Sequence, residues 1–413
     1  MRGLLIVCKE LYKFMREQLM IEKLTKTDYA ELFALIKYAF HKVPTGGETA
    51  FNFFAEHSLN YSFKSDGKIS SDVIVTPFDV DFWGTTYKAT GIGYVASYPE
   101  TRGNGGIREL MARILDDEYA DGVVISYLAP FSYGFYRRFG YEQIFNHMQL
   151  TWAASDFPHG AKTAGDIKRL SFDEAQPLMA AVYRDNPEMH RGALKRASWW
   201  WQYWYGKKLA GLNFAIYFDD AGQPQGYVIY NFDGMNFNIK EWVNTTMAAQ
   251  NATTRFIQSH AGAFDTFTYV SPQSDATKIR VLQQMPEPNR AKAELVPDMQ
   301  ARIVNLVEFL NQYPVRNYVS RSFVMAVHDD NATWNDGAFA VAENWQTQKL
   351  ATPPAEAEVD FSTDIQALTQ WLMGYRTFAE LVFAGRITVA EDLDVAEFDR
   401  LVQIEKPILA DYF

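Results

Sequence analysis

The sequence predicts an α+β chain of two related domains followed by a third, and three observations predict it. A strand, a glycine turn and an amphipathic helix follow one another from Gly91 to Leu115. The order strand, strand, strand, helix returns between Asn213 and His260, which marks an internal duplication. Pro286, Pro288 and Pro297 then interrupt the pattern before helix and strand resume at Arg302. With 413 residues the chain is long enough for two or three domains, each with its own core.

The first nineteen residues hold only a short apolar run, Leu4 to Val7, ahead of Lys9, Glu10 and Lys13. That is too short for a signal segment and far too short to cross a membrane. They read as a peripheral extension, and the chain proper begins at Met20 with a strand and a helix capped near Thr27 or Asp28. Leu32, Phe33, Leu35, Ile36 and Phe40 give that helix its apolar face. His41, at its end, reads as structural before it reads as an acceptor contact. Pro77, Gly84 and Gly91 punctuate the next stretch into three strands, SDVIVTP, FDVDFWG and TTYKATGIGY.

Gly91 to Ser97 reads as a buried strand, and Pro99 to Gly106 as a turn. Beyond it, Ile107, Leu110, Met111, Ile114 and Leu115 share one helix face. A strand, a glycine turn and a helix N-terminus form an anion cradle, because free N–H groups and the helix dipole converge where glycine lets a phosphate approach. Arg102 adds a fixed positive charge. No Gly-Lys-Ser/Thr follows, and Gly103, Gly105 and Gly106 do not space as a dinucleotide fingerprint. Gly122 to Ala129 forms a further buried strand. Phe131 to Phe139 is a short helix, with Gly140 placed as its left-handed cap. A strand from Tyr141 to Trp152 completes this first part.

A polar stretch, Ala154 to Asp166, opens the second part. It holds a helix from Phe172 to Tyr183 and the tryptophan-dense segment 196–206. Four tryptophans between Trp199 and Trp204 read as packing against neighbouring sheets and an interface, in preference to an aromatic cage. Asn244-Thr245-Thr246-Met247 stands where the glycine-arginine turn would recur, so no second phosphate site is expected. In the third part RIVNLVEFLNQY reads as a helix from Arg302, and Thr363 to Met373 as another. The chain ends on Phe413 without a polar tail, which is unusual because most chain ends fray in water.

A formal net charge of −11 without a basic tract argues against a nucleic-acid partner and suits a cationic substrate. One cysteine, Cys8, excludes an internal disulfide framework and fits a reducing, cytoplasmic setting. Seven scattered histidines show no metal-ligand spacing, so no metal site is expected. No membrane partner is expected either.

Pro-x-x-Arg-x-x-Gly after a strand resembles the pyrophosphate loop of the GNAT acetyltransferases, which bind acetyl-CoA. Phe135-Tyr136-Arg137-Arg138-Phe139-Gly140-Tyr141-Glu142 resembles their acceptor-side helix and turn. With RIVNLVEFL, LMGYRTFAEL and the terminal ADYF, residues 20 to 413 resemble the Eis (enhanced intracellular survival) acetyltransferases. The resemblance implies tandem GNAT domains, the second degenerate, followed by a sterol-carrier-protein-like domain. It divides the chain into an extension (1–19), a GNAT domain (20–153), a degenerate GNAT domain (154–290) and a domain carrying the catalytic C-terminus (291–413). Ile107 stands where many other GNAT enzymes have Gly or Ala, a departure usual in Eis-like chains.

The implied activity is acetyl transfer from acetyl-CoA to an amine of a cationic acceptor, an aminoglycoside, a polyamine or a protein lysine. Val95, Ala96 and Ser97 would hold the pantetheine arm as an added strand. Gly103, Asn104, Gly105, Gly106, Ile107 and Arg108 would cradle the pyrophosphate, with Arg102 opposite. Tyr136 would be the general acid towards the thiolate, and the free carboxylate of Phe413 the base. An α-carboxylate has a reference pKa near ~3.5, so burial would have to raise it. The family also implies a homohexamer, and Trp199 to Trp204 would suit its contacts. Two rivals stand beside this: an N-myristoyltransferase-like acyltransferase, which would lack the sterol-carrier-like segment, and a non-enzymatic CoA- or lipid-binding protein.

Overall fold

The computed structural model describes residues 20–65, 67–317 and 320–413, so the N-terminal extension and Cys8 lie outside the described residues. The first sheet contains β1 (Met20–Lys23), β2 (Leu59–Ser65), β3 (Lys68–Phe82), β4 (Thr85–Ser97), β5 (Ile125–Leu128), β6 (Glu142–Gln143), β9 (Arg191–Leu194) and β15 (Gln300–Ile303). Its order is β1-β2-β3-β4-β5-β15-β6, with β9 added to β3. The pair β4–β5 is parallel and the others are antiparallel.

The second sheet is ordered β14-β7-β13-β12-β11-β10-β8. These are β7 (Asn146–Ala153), β8 (Asp166–Leu170), β10 (Asn213–Phe218), β11 (Pro224–Asp233), β12 (Asn236–Asn244), β13 (Thr266–Ser271) and β14 (Lys292–Pro297). Here too one pair, β12–β13, is parallel, and the helix Met247–Gln258 connects it as Gly106–Ala120 connects β4 to β5. The duplication expected from the sequence is therefore visible as topology. The third sheet, β18-β17-β16-β19-β20, is made of β16 (Phe323–His328), β17 (Gly337–Val341), β18 (Thr347–Lys349), β19 (Phe361–Asp364) and β20 (Ile387–Val389).

Three elements differ from the sequence reading. The two strands expected on either side of Pro77 are one, β3. Pro77 falls between the end of the β2 pairing, at Val75, and the start of the β9 pairing, at Val80. A residue without an N–H is tolerated in such a gap. The strand expected from Tyr141 to Trp152 is broken. Ile144 and Phe145 both donate to the Met299 carbonyl, and there the chain leaves the first sheet and enters the second as β7. In return β15 comes back from beyond the second sheet to pair with β5. That pairing also shortens the helix expected from Arg302. It begins at Leu306, capped by Asn305, because residues 300–303 are strand.

The first and third parts share one continuous core. Tyr87 and Phe309 stack at 5.0 Å, and the Tyr87 hydroxyl donates to the Phe309 carbonyl at 2.8 Å. Arg302, fully buried on β15, donates to the Phe139 carbonyl and pairs with Asp329 of the third part. The third part is therefore packed into the first by side chains on both.

Candidate functional site

The site is built where β4 leaves β5. Their pairing ends at Ile92 opposite Leu128. On the other edge of β4, Gly93 pairs with Ile74 but Ala96 pairs with Asp72, so Tyr94 and Val95 form a bulge. Tyr94 has a φ of 48°, a left-handed conformation that a bulky side chain rarely adopts. The bulge opens a gap beside β5 and leaves the edge from Gly93 to Ser97 facing it. Val95 packs with Ile92 and Leu128 under the helix Gly106–Ala120, whereas Ala96 faces the opposite core. Ser97 Oγ lies 2.7 Å from Ser71 Oγ.

Past Ser97 comes the turn. The Thr101 hydroxyl donates to the Ser70 carbonyl at 3.1 Å and ties the turn to β3. Gly103 and Gly105 are left-handed, at φ 84° and 86°, and Gly105 caps the helix. The first helical N–H with a ladder partner is that of Glu109, which donates to Gly105 at 3.0 Å. The N–H groups of Gly106, Ile107 and Arg108 thus head the helix outside its ladder. A Cβ on Gly106 would stand 3.1 Å from Ser71 Oγ, so glycine seats the helix tightly on β3. Arg102, Gly103, Asn104 and Arg108 are exposed, and Ile107 is half-buried. The structure brings all seven residues of 102–108 together in one turn at the head of this helix.

Tyr136 sits in the short helix Tyr133–Arg137, capped by Ser132. It is buried, and it packs in the cluster that contains Ile92 and Leu128. Burial pushes its hydroxyl well above the ordinary tyrosine value, with Tyr412 adding to the effect. It is therefore protonated throughout the neutral range. Gly140 is the left-handed residue expected, at φ 81°, and a Cβ there would also fall 2.5 Å from Arg302 Nη1.

Phe413 reaches the same gap from the other face of the sheet. It is 5% exposed, and its ring lies 5.4 Å from Phe78. A Cβ on Gly91 would fall 2.6 Å from the Phe413 ring, and one on Gly93 would fall 2.9 Å from its carboxyl carbon. Gly91 and Gly93 are the floor on which the last residue lies.

The tail is pinned at four points. The Ile408 N–H donates to the Arg191 carbonyl at 2.9 Å, and His147 Nε2 bonds the Leu409 carbonyl at 2.8 Å. Asp411 accepts from Arg196 Nε at 2.8 Å and from Trp200 Nε1 at 2.7 Å. The last point is the Phe413 ring itself. Arg196 makes two further bonds to Glu241, at 2.9 and 2.7 Å, and lies over the rings of Tyr183 and Trp201. Glu241 also accepts from Tyr205 and Tyr227. Burial pushes Asp411 above the usual carboxylate range, opposed by the charge of Arg196.

This clamp was not expected from the sequence. The tryptophans from Trp199 to Trp204 pack against neighbouring elements of the chain, with Trp199 and Trp204 half-buried. Trp200 and Trp201 are buried, Trp199 stacks on His57 at 4.5 Å, and Trp204 stacks on Trp200 at 5.7 Å. Asp72 was missed as well. It lies opposite Ala96 on β3, is fully buried, and has neither oxygen hydrogen-bonded. Burial raises it well above the usual carboxylate range. His41 is an exposed left-handed residue at the end of its helix, φ 54°, beside Tyr38.

Among the described residues no group of three or more His, Cys, Asp or Glu side chains could hold a metal ion. No described helix is long and apolar enough to cross a membrane. An acetyltransferase (GNAT) domain family matches residues 20–144, a second acetyltransferase (GNAT) family matches 192–303, and a sterol carrier protein domain family matches 306–410. No curated protein sequence matches the chain.

Among solved structures, a conserved protein of unknown function from Enterococcus faecalis V583, described as a probable N-acyltransferase, is 34% identical with a TM-score of 0.87. The alignment covers 96% of this chain and 100% of that one. A GCN5-related N-acetyltransferase from Anabaena variabilis is 21% identical with a TM-score of 0.82, over the same shares of the two chains. Eis1 from Mycobacterium abscessus is 17% identical with a TM-score of 0.76, again over 96% and 100%. These last two likenesses are of fold. Two GNAT domains joined to a sterol carrier protein domain, along the whole length of a 34%-identical probable N-acyltransferase, make this chain an acyltransferase of the GNAT family, with a fold it shares with Eis1.

Proposed function

We propose that this enzyme acetylates an amine of a cationic acceptor, with acetyl-CoA lying in the gap between β4 and β5. The observation that carries the reading is the contact of the Phe413 carboxyl carbon with Gly93, on the opposite side of the gap from Tyr136. In this reading the pyrophosphate rests on the N–H groups of 103–108 with Arg102 beside it, and the pantetheine arm runs along Val95 to Ser97. The amine nitrogen attacks the thioester carbon and the C–S bond breaks. The Phe413 carboxylate takes the proton lost by nitrogen, and Tyr136 supplies one to the leaving sulfur.

Asp72 favours a cationic acceptor. It places an unpaired acidic group on the sheet face that carries Phe413, and a buried carboxylate without a partner is stabilised by an incoming ammonium. The three functional segments are residues 20–153, 154–290 and 291–413, with β7 and β14 contributed to the second sheet and β9 and β15 to the first. A homohexamer rests on family resemblance. A lipid-binding role gains nothing from the third part, whose interior is filled by Phe323, Phe361, Trp371, Phe378 and Phe398 at 4.8–5.9 Å between neighbouring ring centroids.

The test is thiol release from acetyl-CoA with aminoglycosides, polyamines and lysine peptides as acceptors. Turnover with at least one amine is expected, and Asp72→Asn should raise its KM while leaving that of acetyl-CoA unchanged. Turnover only with long-chain acyl-CoA would replace this reading with the myristoyltransferase-like one.

A further inference from the structure

The second sheet repeats the opening that makes the first a catalyst. The parallel pair β12–β13 is in register from Asn236 opposite Thr266 to Ile239 opposite Tyr269, and there the pairing ends. Between the diverging ends is a small open cleft, bounded by Trp242 and Asn244 on one side and Ser271 to Gln273 on the other.

Two things set this cleft apart from the cofactor gap of the first sheet. Thr246 leads straight into the helix and caps it by accepting from the Ala249 N–H, so there is no glycine turn. Behind it, Gln250, Thr254 and Gln284 are already hydrogen-bonded to one another. A pyrophosphate has nowhere to lie.

The rim is nevertheless charged, and unevenly. Arg191, Lys278 and Arg280 converge there on two carboxylates, Glu188 and Glu405. Only Lys278 and Glu405 touch, at 2.7 Å. Arg191 and Arg280 each stand 3.9 Å from Glu188, and Arg191 stands 3.7 Å from Glu405, all beyond hydrogen-bond reach. Two buried donors are left unmet. Arg191 is 4% exposed, and its Nη1 has no hydrogen-bond partner. Gln273, also 4% exposed, lines the cleft; its Oε1 accepts from the Asp275 N–H, but its Nε2 has no partner. Buried donors are seldom left so, and each orphan calls for a cause. One excess positive charge and an unpaired amide donor at a cleft point to a missing acceptor that carries negative charge.

We propose that the cleft of the second domain binds a small oxyanion, a carboxylate or phosphate monoester attached to a ring or short apolar group. The charged head meets Gln273 Nε2 and the guanidinium of Arg280, with Arg191 behind them. The apolar part rests on Trp242 and Tyr269. The domain that lost its cofactor turn thus retains a binding site of its own, for a ligand that is not acetyl-CoA.

The test uses the full-length protein saturated with CoA, so that the first domain's cradle is filled. Phenyl phosphate and benzoate are titrated calorimetrically, with benzyl alcohol as the uncharged counterpart. One equivalent of phenyl phosphate or benzoate is expected to bind, and binding should weaken by about tenfold or more in Arg280→Ala and in Gln273→Leu. Arg280 is a third exposed on its side chain and donates to the Asn244 carbonyl at 3.2 Å, so a melting temperature taken beside the titration separates a lost site from a lost fold. Binding by the phosphate alone or the carboxylate alone identifies which head the site prefers. Absence of binding at roughly 10 mM, equal binding of benzyl alcohol, or binding indifferent to Arg280→Ala overturns the proposal.

Discussion

The carboxyl carbon of Phe413 lies so close over Gly93 that a methyl group on that glycine would fall 2.9 Å from it. The last residue of the chain and a strand residue 320 positions earlier in sequence are thus fitted to each other at the level of one carbon atom. Gly93→Ala should displace the carboxylate without removing it. Because a misplacement of ~1 Å can cost ~10²-fold in rate, kcat should fall by about that factor while CoA affinity holds. A few residues appended after Phe413 should have the same effect by turning the carboxylate into an amide. Steady-state kinetics beside CoA calorimetry decide it, and full activity in either variant removes Phe413 from catalysis.

Asp411 holds the tail for Phe413 through Arg196 and Trp200. Removing one partner of a buried ion pair typically costs about 3–5 kcal/mol, because the other charge is left unpaired. Arg196→Ala strands both Asp411 and Glu241 and should lower the melting temperature markedly. Asp411→Asn keeps an acceptor for Trp200 and leaves Arg196 paired with Glu241, so it should fold. Its defect should appear in kcat, not in the KM for acetyl-CoA. A normal kcat in Asp411→Asn would mean that the tail finds its place without the clamp.

Tyr136 should behave as a donor that is never lost to titration at neutral pH, since burial holds its hydroxyl far above the ordinary value. Tyr136→Phe is expected to lower kcat by about 10²–10⁴-fold with the KM for acetyl-CoA unchanged. No tyrosine-like limb should appear in the wild-type pH–rate profile below pH 9. A kcat equal to wild type returns Tyr136 to a packing role.

Glu118 sets a pH dependence of stability. It is buried beneath β4 and β5, accepts from the hydroxyls of Thr90 and Ser126, and is pushed up to about 7 by burial, against the opposing pull of those bonds. Between the ordinary value near 4.5 and about 7, the folded chain keeps a proton that the unfolded chain has lost. Stability therefore falls as pH rises through this window, by an amount on the order of 3 kcal/mol. Glu118→Gln should flatten that decline in denaturant titrations taken from pH 4.5 to 8. A wild-type slope retained in the variant would assign the dependence to another group.

The turn of residues 102–108 and the short helix that carries Tyr136 were legible because each is local. Arg102 to Arg108 and Phe135 to Glu142 are contiguous, and their geometry is carried by glycine φ angles, a helix N-terminus and a short capped helix. The clamp was not legible, since Arg196 and Asp411 are 215 residues apart and neither belongs to a spaced motif. Asp72 looked like one polar residue in an alternating strand, and only the fold shows that both of its faces are buried. The strand from Tyr141 to Trp152 misled because its alternation continues through Ile144 and Phe145. Nothing in the residues says that the two halves of such a run pair with different sheets. RIVNLVEFL misled in the opposite way, since Ile303 and Leu306 suit a helix face but residues 300–303 are held in extended form by β5.

The exchange of β7 and β15 has a consequence for how such a chain comes to be folded. The first sheet gives away the strand that follows β6 and waits for one made some 150 residues later. The second sheet is founded on that donated strand. Neither sheet is complete while the other is missing, and many of the contacts that close them link distant parts of the chain, which slows folding. The duplicated half cannot be trimmed away even where it has lost its glycine turn, because its removal would withdraw the route by which β15 returns to β5. In evolutionary terms the two copies have become hostages to each other. The second is retained by the architecture first, and is free to acquire a ligand of its own afterwards.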